Sequence, residues 1–187
     1  MTLQAESLIE TTAERASLEA LREATGETAG TMEAHCLRCF CLCELLAQKH
    51  NADLDREVML CAALLHDIGL YESVSDGGVY TDEGGDVARA IGLETGWDSR
   101  RAELCAEACA RHHSVKAQWD QGAEVEVLRL ADRIEVSGGL SRAGLSRSQI
   151  KTVFEEIPRD GFYAGLVHVV WPALRSRPLT IPKIFKP

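Results

Sequence analysis

The sequence predicts an all-α fold, folded as a single bundle of helices. Segment after segment carries apolar residues at intervals of three or four positions, the period of a helix with one buried face. Glycines and helix-capping residues lie between these segments. The length of 187 residues is that of one domain, and a composition that is 45% hydrophobic is enough to form a core.

Eight helices are expected, and capping residues mark several of their ends. The expected ranges are residues 3–24, 32–49, 54–68, 82–96, 99–111, 125–136, 148–157 and 161–174. Asp53 suits the N-cap of the third helix, and Gly69 stops it before a Gly- and Ser-rich loop over residues 69–81. Residues 125–136 are rich in Val and Ile, so a strand is the alternative there. Three prolines keep the tail irregular: Pro178, Pro182 and Pro187.

The charge and hydropathy of the chain exclude two kinds of partner. The net charge is −9, and no cluster of Lys and Arg could neutralise the phosphates of a duplex, so no nucleic acid is expected. No apolar run approaches the ~20 residues of a membrane span, so no membrane partner is expected either. The N-terminus lacks the basic start and apolar centre of a secretory signal. We therefore expect a cytoplasmic protein that acts on a small molecule, and association into a homo-oligomer stays open.

Seven cysteines are present, and four of them lie between residues 36 and 43. An odd count, with Cys41 and Cys43 too close for an unstrained bridge, does not suit a secreted disulfide framework. Cys36-x-x-Cys39 lacks the second Cys-x-x-Cys of a zinc ribbon. The cysteines are therefore expected to be small buried helix residues in a reducing compartment.

Two aspartates are placed where burial is expected. His66-Asp67 follow a run of apolar residues, and Asp132 lies among Leu and Ile. A buried carboxylate is costly unless a positive group neutralises it, and a divalent cation does so while also binding neutral imidazole. Salt bridges from Arg38 to Asp67 and from Arg133 to Asp132 are the alternative for each residue taken singly. The recurrence of the pattern along the chain favours a metal.

The order of these residues resembles the HD superfamily of metal-dependent enzymes. The matching passages are His35, then Ala63-Leu64-Leu65-His66-Asp67-Ile68-Gly69, then Leu130-Ala131-Asp132. The resemblance covers about residues 30–140 and implies an HD-domain helical bundle. Residues 1–29 would then be an N-terminal helix packed on it, and residues 141–187 a helical extension and tail of the same domain. It implies that the motif residues converge on one or two divalent metal ions, with four ligands: His35, His66, Asp67 and Asp132.

Three further passages resemble the cyanamide hydratase-like branch of that superfamily: residues 34–38, 82–88 and 157–162. This branch binds one metal, typically zinc, and adds water to a small nitrile-like group. The two-metal phosphodiesterases usually carry a further His in the segment here numbered 80–85, where only Glu83 or Asp86 could substitute, and often a Lys at Leu70. We therefore expect one ion, zinc first, although iron, manganese and nickel suit the same ligands.

Motif position also assigns catalytic roles. Asp67 would orient the water that the cation activates, His112 or His113 would protonate the developing anion, and Arg38 would orient a ligand carboxylate or hold substrate charge. For the two histidines, a surface pair at a helix C-terminus is the alternative. These roles describe a hydrolase or hydratase of a small nitrile-like carbon–nitrogen compound. A phosphohydrolase of a small phosphate ester or nucleotide stays open, as does a non-catalytic metal-binding module.

Overall fold

The protein is all-helical, as its sequence predicts. A computed structural model describes residues 4–26 and 29–187, the side chains of 173 and 174 excepted, and within this part no strand is present. Residues 1–3 and 27–28, at the edges of the expected N-terminal segment, lie outside it. The helices are α1 Thr12–Thr25, α2 Ala29–His50, α3 Arg56–Leu65, α4 Tyr80–Glu94, α5 Ser99–Arg111, α6 Ala123–Val136, α7 Arg147–Glu156, α8 Phe162–Ser176 and α9 Ile181–Ile184. Short 3-10 turns occupy Ala5–Ser7 and Ile68–Leu70.

One hydrophobic core joins helices α1 to α7. Helix α2 packs on α3 and α6, with Leu42 and Leu46 buried in the core, and α4 and α5 form the most extensive helix pair. Every residue from Val58 to Leu65 in α3 is buried, so this helix is internal on all sides. Burying a Leu or Val side chain contributes about 1.5–3 kcal/mol. The residues that directly follow α3 are therefore held inside the bundle.

Glycines allow α4 to contact the chain that follows α3. A Cβ at Gly84 would lie 3.0 Å from the carbonyl oxygen of Leu65, and one at Gly69 would lie 2.1 Å from that of Tyr80. On the other side of α4, a Cβ at Gly85 would lie 2.8 Å from the carbonyl oxygen of Ala106 in α5. Because real Cβ atoms do not approach oxygen that closely, only glycine permits this backbone-to-backbone packing. The position of α4 is thereby fixed relative to the end of α3.

Several expected helix limits are wrong, and local hydrogen bonds explain the differences. Helix α1 begins at Thr12 rather than residue 3, because Thr11 and Glu14 form a capping box. Asp55, not Asp53, caps α3: its carboxylate accepts a hydrogen bond from the Val58 N–H. The strand alternative for residues 125–136 is also wrong, since this segment is helix α6.

The C-terminal segment crosses back over the bundle. Helix α8 lies against α2 and the second 3-10 turn, and the short helix α9 adds a turn to the expected irregular tail. Arg177 pairs with Glu83 at 3.0 Å, Lys186 pairs with Asp82, and the Lys186 carbonyl accepts from the Val115 N–H at 3.0 Å. These contacts tie the tail to the start of α4. In the described part of the chain, no helix is both long and apolar enough to cross a membrane.

Candidate metal centre

Four side chains meet inside the bundle, one from α2, two from the end of α3 and one from α6. Nε2 of His35 lies 3.1 Å from Nε2 of His66, 3.5 Å from Oδ2 of Asp67 and 3.7 Å from Oδ1 of Asp132. Nε2 of His66 lies 3.5 Å from the same oxygen of Asp67 and 4.0 Å from that of Asp132. All four side chains are buried. The structure therefore brings the four predicted ligands to one point.

This spacing fits a divalent cation. Ligand atoms about 2.0–2.2 Å from a tetrahedral zinc ion lie about 3.4 Å from each other, and the five separations given above, each of which involves a histidine nitrogen, run from 3.1 to 4.0 Å. The alternative salt bridges are not formed. Arg38 donates to Glu135 instead of Asp67, and Arg133 donates to the carbonyl oxygen of Ser114 at 3.5 Å. The donor set and its geometry match a metal, and no arginine takes its place.

The histidine rings face the centre with the same nitrogen. Nδ1 of His66 lies 2.9 Å from the Ala63 carbonyl oxygen, and Nδ1 of His35 lies 3.0 Å from Oε2 of Glu135. A carbonyl or carboxylate oxygen can only accept, so each Nδ1 carries the hydrogen. When both rings are neutral, the lone pairs of both Nε2 atoms are directed at the cluster, which is the form that binds a metal.

Burial and charge shift the pKa values within the cluster in opposite directions. Burial lowers the pKa of His66 to about 3 and raises that of Asp132 to about 6. Burial also opposes ionisation of Asp67, but the nearby rings of His66, His112 and His35 outweigh it and hold its pKa well below the ordinary range. Asp67 is thus an ionised buried carboxylate, the kind of group for which a cation is the natural partner.

The two adjacent histidines both reach the cluster, so they are not a surface pair. Nε2 of the buried His112 lies 3.5 Å from Oδ1 of Asp67 and makes no hydrogen bond within the described residues. Nδ1 of His113 lies 3.6 Å from Oδ2 of Asp132, and its Nε2 lies 2.5 Å from the Tyr80 hydroxyl. His112 therefore points an unused nitrogen at a ligand carboxylate.

The same residues also form two adjoining donor groups. His66, Asp67 and His112 make one, and His112, His113 and Asp132 make the other. Glu83 and Asp86, named above as substitutes in a second site, are engaged elsewhere. Glu83 accepts from the backbone of residues 76 and 78, and Asp86 pairs with Arg89 on the surface. Donors for a second ion thus come from the histidine pair.

Sequence reasoning missed three residues at this centre. Glu135 is fully buried and contacts His35, and its position one helical turn after Asp132 is the signal that could have revealed it. Sγ of Cys39 lies 3.9 and 4.0 Å from the two ring nitrogens of His35, so the sulfur packs against the ring, and burial raises its pKa to about 11. Tyr80 is placed beside His113 by tertiary packing alone.

Arg38 is buried and contacts Glu135 rather than the four clustered side chains. The side chain is 1% exposed, and its Nε donates to Oε1 of Glu135 at 2.6 Å. Nη1 donates to the Pro158 carbonyl oxygen at 2.9 Å. Arg38 is therefore connected to His35 through Glu135, which contacts both side chains.

A cavity of about 180 Å³ adjoins the centre. Its polar lining consists of Asp67, Asp132, His113 and Tyr80. Its apolar lining consists of Leu70, Val136, Leu166, Val170 and Ile184. Three of these apolar residues come from α8 and α9, so the C-terminal helices form one wall of the cavity.

The comparisons with known proteins agree with this fold and site. The HD domain family matches residues 32–137, which include all four clustered residues and both adjacent histidines. The chain therefore belongs to the HD domain family. It is similar to the crystal structure of a predicted HD superfamily hydrolase from an uncultured Thermotogales bacterium, with a TM-score of 0.57 and 18% identity over 92% of this chain and 98% of that chain. That likeness supports the shared fold. No curated protein matches the chain.

Proposed function

We propose that the protein is a metal-dependent hydrolase or hydratase of a small neutral substrate, with nitrile-like carbon–nitrogen compounds as the first candidates. The observation that carries this proposal is the cavity beside the centre. Among the described residues that line it there is no Lys or Arg, and its far wall is apolar. A small uncharged molecule matches that lining, because a charged one would lose hydration without gaining a partner.

Four residues would hold the cation: His35, His66, Asp67 and Asp132. A divalent ion held by these residues would lower the pKa of bound water and would polarise the bond to be attacked. Zinc suits these ligands first, and iron, manganese and nickel suit them too. Asp67 has two tasks in this scheme, since Oδ2 faces the histidine ligands and Oδ1 faces His112. The second oxygen is placed to orient a water molecule and accept its hydrogen bond.

His113 is the proton-transfer residue of this proposal, because it lines the cavity and His112 does not. Burial lowers its pKa to about 3, so the ring is neutral and relays a proton together with the Tyr80 hydroxyl. The Tyr80 hydroxyl, 2.5 Å from its Nε2, holds the ring and lines the same cavity. A proton can pass from this pair to the atom of the substrate that gains negative charge. His112 would not contact the substrate and would influence the reaction only through Oδ1 of Asp67. Arg38 would support the ligand His35 and would not bind substrate.

A phosphohydrolase is the second candidate, and the donor groups around His112 favour it. Two cations would supply the positive charge that the cavity walls lack for a phosphate. A non-catalytic module is disfavoured, because the ligand atoms have metal-binding spacing and a cavity opens beside them.

Metal content per chain, measured by mass spectrometry on protein purified anaerobically without a His-tag or chelator, is the first test. We expect one ion in the wild type and none in a folded Asp67→Ala variant. Asp86→Ala, which removes a surface carboxylate paired with Arg89, is the matched control and should retain the ion. Full metal content in Asp67→Ala would contradict the assigned ligands.

A substrate panel then separates the two candidates. Cyanamide and short nitriles should be hydrated, with water adding across the carbon–nitrogen triple bond to give urea or an amide. Phosphate esters and nucleotides should turn over slowly. Two ions per chain together with phosphate release would favour the phosphohydrolase instead.

A further inference from the structure

Glu135 lies behind the centre and uses its two oxygens differently. Oε2 lies 3.0 Å from Nδ1 of His35. Oε1 accepts from Nε of Arg38 at 2.6 Å and from Nε of Arg159 at 3.3 Å. The side chain has no exposed surface. A buried acid between one imidazole and two guanidinium groups is fully occupied, and each of its oxygens has a set partner.

We propose that Glu135 is a positioning residue that fixes the metal-binding tautomer of His35, and that Arg38 and Arg159 fix which of its oxygens faces the ring. Because the carboxylate can only accept, Nδ1 of His35 must keep its hydrogen and Nε2 must present a lone pair to the centre. This role rests on the proposed function in one respect, since it requires that the centre hold a cation. A carboxylate behind a metal-bound histidine raises its basicity and holds its orientation.

The segment after α7 completes the support. Nη2 of Arg159 donates to the Glu135 carbonyl oxygen at 2.6 Å. The guanidinium lies over the rings of Phe154, Phe162 and Tyr163 at 4.8–5.0 Å from their centroids. Phe162 itself stacks on His35, with centroids 5.1 Å apart and planes at 17°. The first residue of α8 therefore holds His35 directly, and Arg159 in the turn before it holds His35 through Glu135.

The Glu135→Gln substitution tests the role because an amide has one acceptor and one donor end. Arg38 and Arg159 only donate, so the amide oxygen must face them. The NH₂ group then faces Nδ1 of His35, which must accept. The ring hydrogen moves to Nε2, where it blocks the lone pair that would bind the metal.

The measurement is the affinity of chelator-stripped protein for Zn²⁺, by competition with a chromophoric chelator. We expect Glu135→Gln to bind Zn²⁺ about 10–100-fold more weakly than the wild type, the usual effect of losing such a partner. Glu126→Gln is the matched control. Glu126 is a buried acid on the same helix that accepts from Arg129 and from the Gln118 N–H, and its variant should keep wild-type affinity.

The outcomes separate this role from the proposed function. If the wild type binds Zn²⁺ and a folded Glu135→Gln variant binds it equally well, the role of Glu135 is overturned and the metal centre stands. If the wild type itself takes up no Zn²⁺, both are overturned.

Nuclear magnetic resonance of the zinc-loaded wild type gives a second measurement that does not depend on the variant folding. The hydrogen on Nδ1 of His35 should give a separate resonance coupled to that nitrogen and protected from solvent. A metal-bound His35 whose Nδ1 hydrogen exchanges freely would overturn the proposal.

Discussion

The Tyr80 hydroxyl lies 2.5 Å from Nε2 of His113, in the lining of the cavity beside the His and Asp cluster. Burial raises the pKa of this phenol well above its ordinary value, and the carboxylates of Asp67 and Asp132 add to the effect, so the group stays neutral. The contact leaves Nδ1 of His113 facing Asp132 at 3.6 Å. One hydroxyl from α4 thus sets the direction of a ring that follows α5.

Tyr80→Phe should slow turnover without loss of the metal. The ring would keep its packing against Leu70 and Ile184, and only the hydrogen bond to His113 would disappear. We expect kcat to fall by about 10-fold or more, approaching the ~10²–10⁴ of a lost proton-transfer group. The measurement is kcat on the best substrate of the panel, with metal content determined on the same sample. Unchanged kcat would remove Tyr80 and His113 from the proposed chemistry.

Removing the metal should destabilise the fold. Without a cation, the carboxylates of Asp67 and Asp132 stay buried beside each other. An ion present at 100 times its Kd stabilises by about 2.7 kcal/mol, which for a chain of this length corresponds to a fall in Tm of about 5–10 °C on stripping. Calorimetry with and without chelator measures it. Asp67→Ala should show no chelator effect, and a wild type equally insensitive would contradict the prediction.

The capping aspartate of α3 gives a stability prediction with an internal control. Asp55→Ala should lower the free energy of unfolding by about 1–2 kcal/mol, because it removes the N-cap and the contacts to Arg101 at 2.7 and 2.9 Å. Asp53→Ala changes an exposed residue two positions earlier and should cost almost nothing. Urea unfolding compares the two. Equal losses would show that the cap is misassigned.

The effect of Asp55 should also depend on pH. Burial opposes its ionisation, but hydrogen bonds from Arg101 and from the Val58 N–H outweigh burial and lower its pKa below 3.8. A group with a lowered pKa stabilises fully above its unfolded pKa, and this stabilisation is lost as the pH falls through the folded value. The difference between wild type and Asp55→Ala should therefore shrink in acid. A difference that grew in acid would contradict the assignment.

The cysteines should be unreactive in the folded protein. All seven are free thiols and six are buried. Cys41 is partly exposed, but burial still raises its pKa to about 12, so almost no thiolate is available. We expect a disulfide reagent to titrate none of them quickly at mildly alkaline pH and all seven after unfolding. Rapid reaction of several thiols in the native state would show that helix α2 opens locally.

Helix positions follow from the sequence because the apolar period is local, whereas the choice between two similar caps is not. Asp53 and Asp55 both precede the same helix, and sequence alone favours neither strongly. Arg101, from α5, contacts Asp55, and Glu124, from α6, accepts from its N–H at 2.8 Å. These partners lie far away in the chain, so the N-cap depends on tertiary packing.

In the candidate metal centre, too, local sequence predicts some features and tertiary packing decides others. The His-Asp pattern identified the residues that meet, but it did not identify the carboxylate that Arg38 contacts, which is Glu135 and not the alternative partner Asp67. Helical spacing correctly puts Arg38 one turn from His35. Which carboxylate it meets depends on the rotation of α6 against α2, and no local pattern encodes that rotation.

The three glycines that let α4 pack closely limit which positions of this protein can be changed. Any side chain at Gly69 or Gly84 would push against the backbone of Tyr80 or His66, so a change there moves a cavity residue or a ligand. The cavity wall formed by α8 and α9 contains none of the four clustered residues. Libraries meant to widen substrate choice should therefore leave the glycines intact. They should vary the cavity-lining positions of α8 and α9, which are Leu166, Val170 and Ile184.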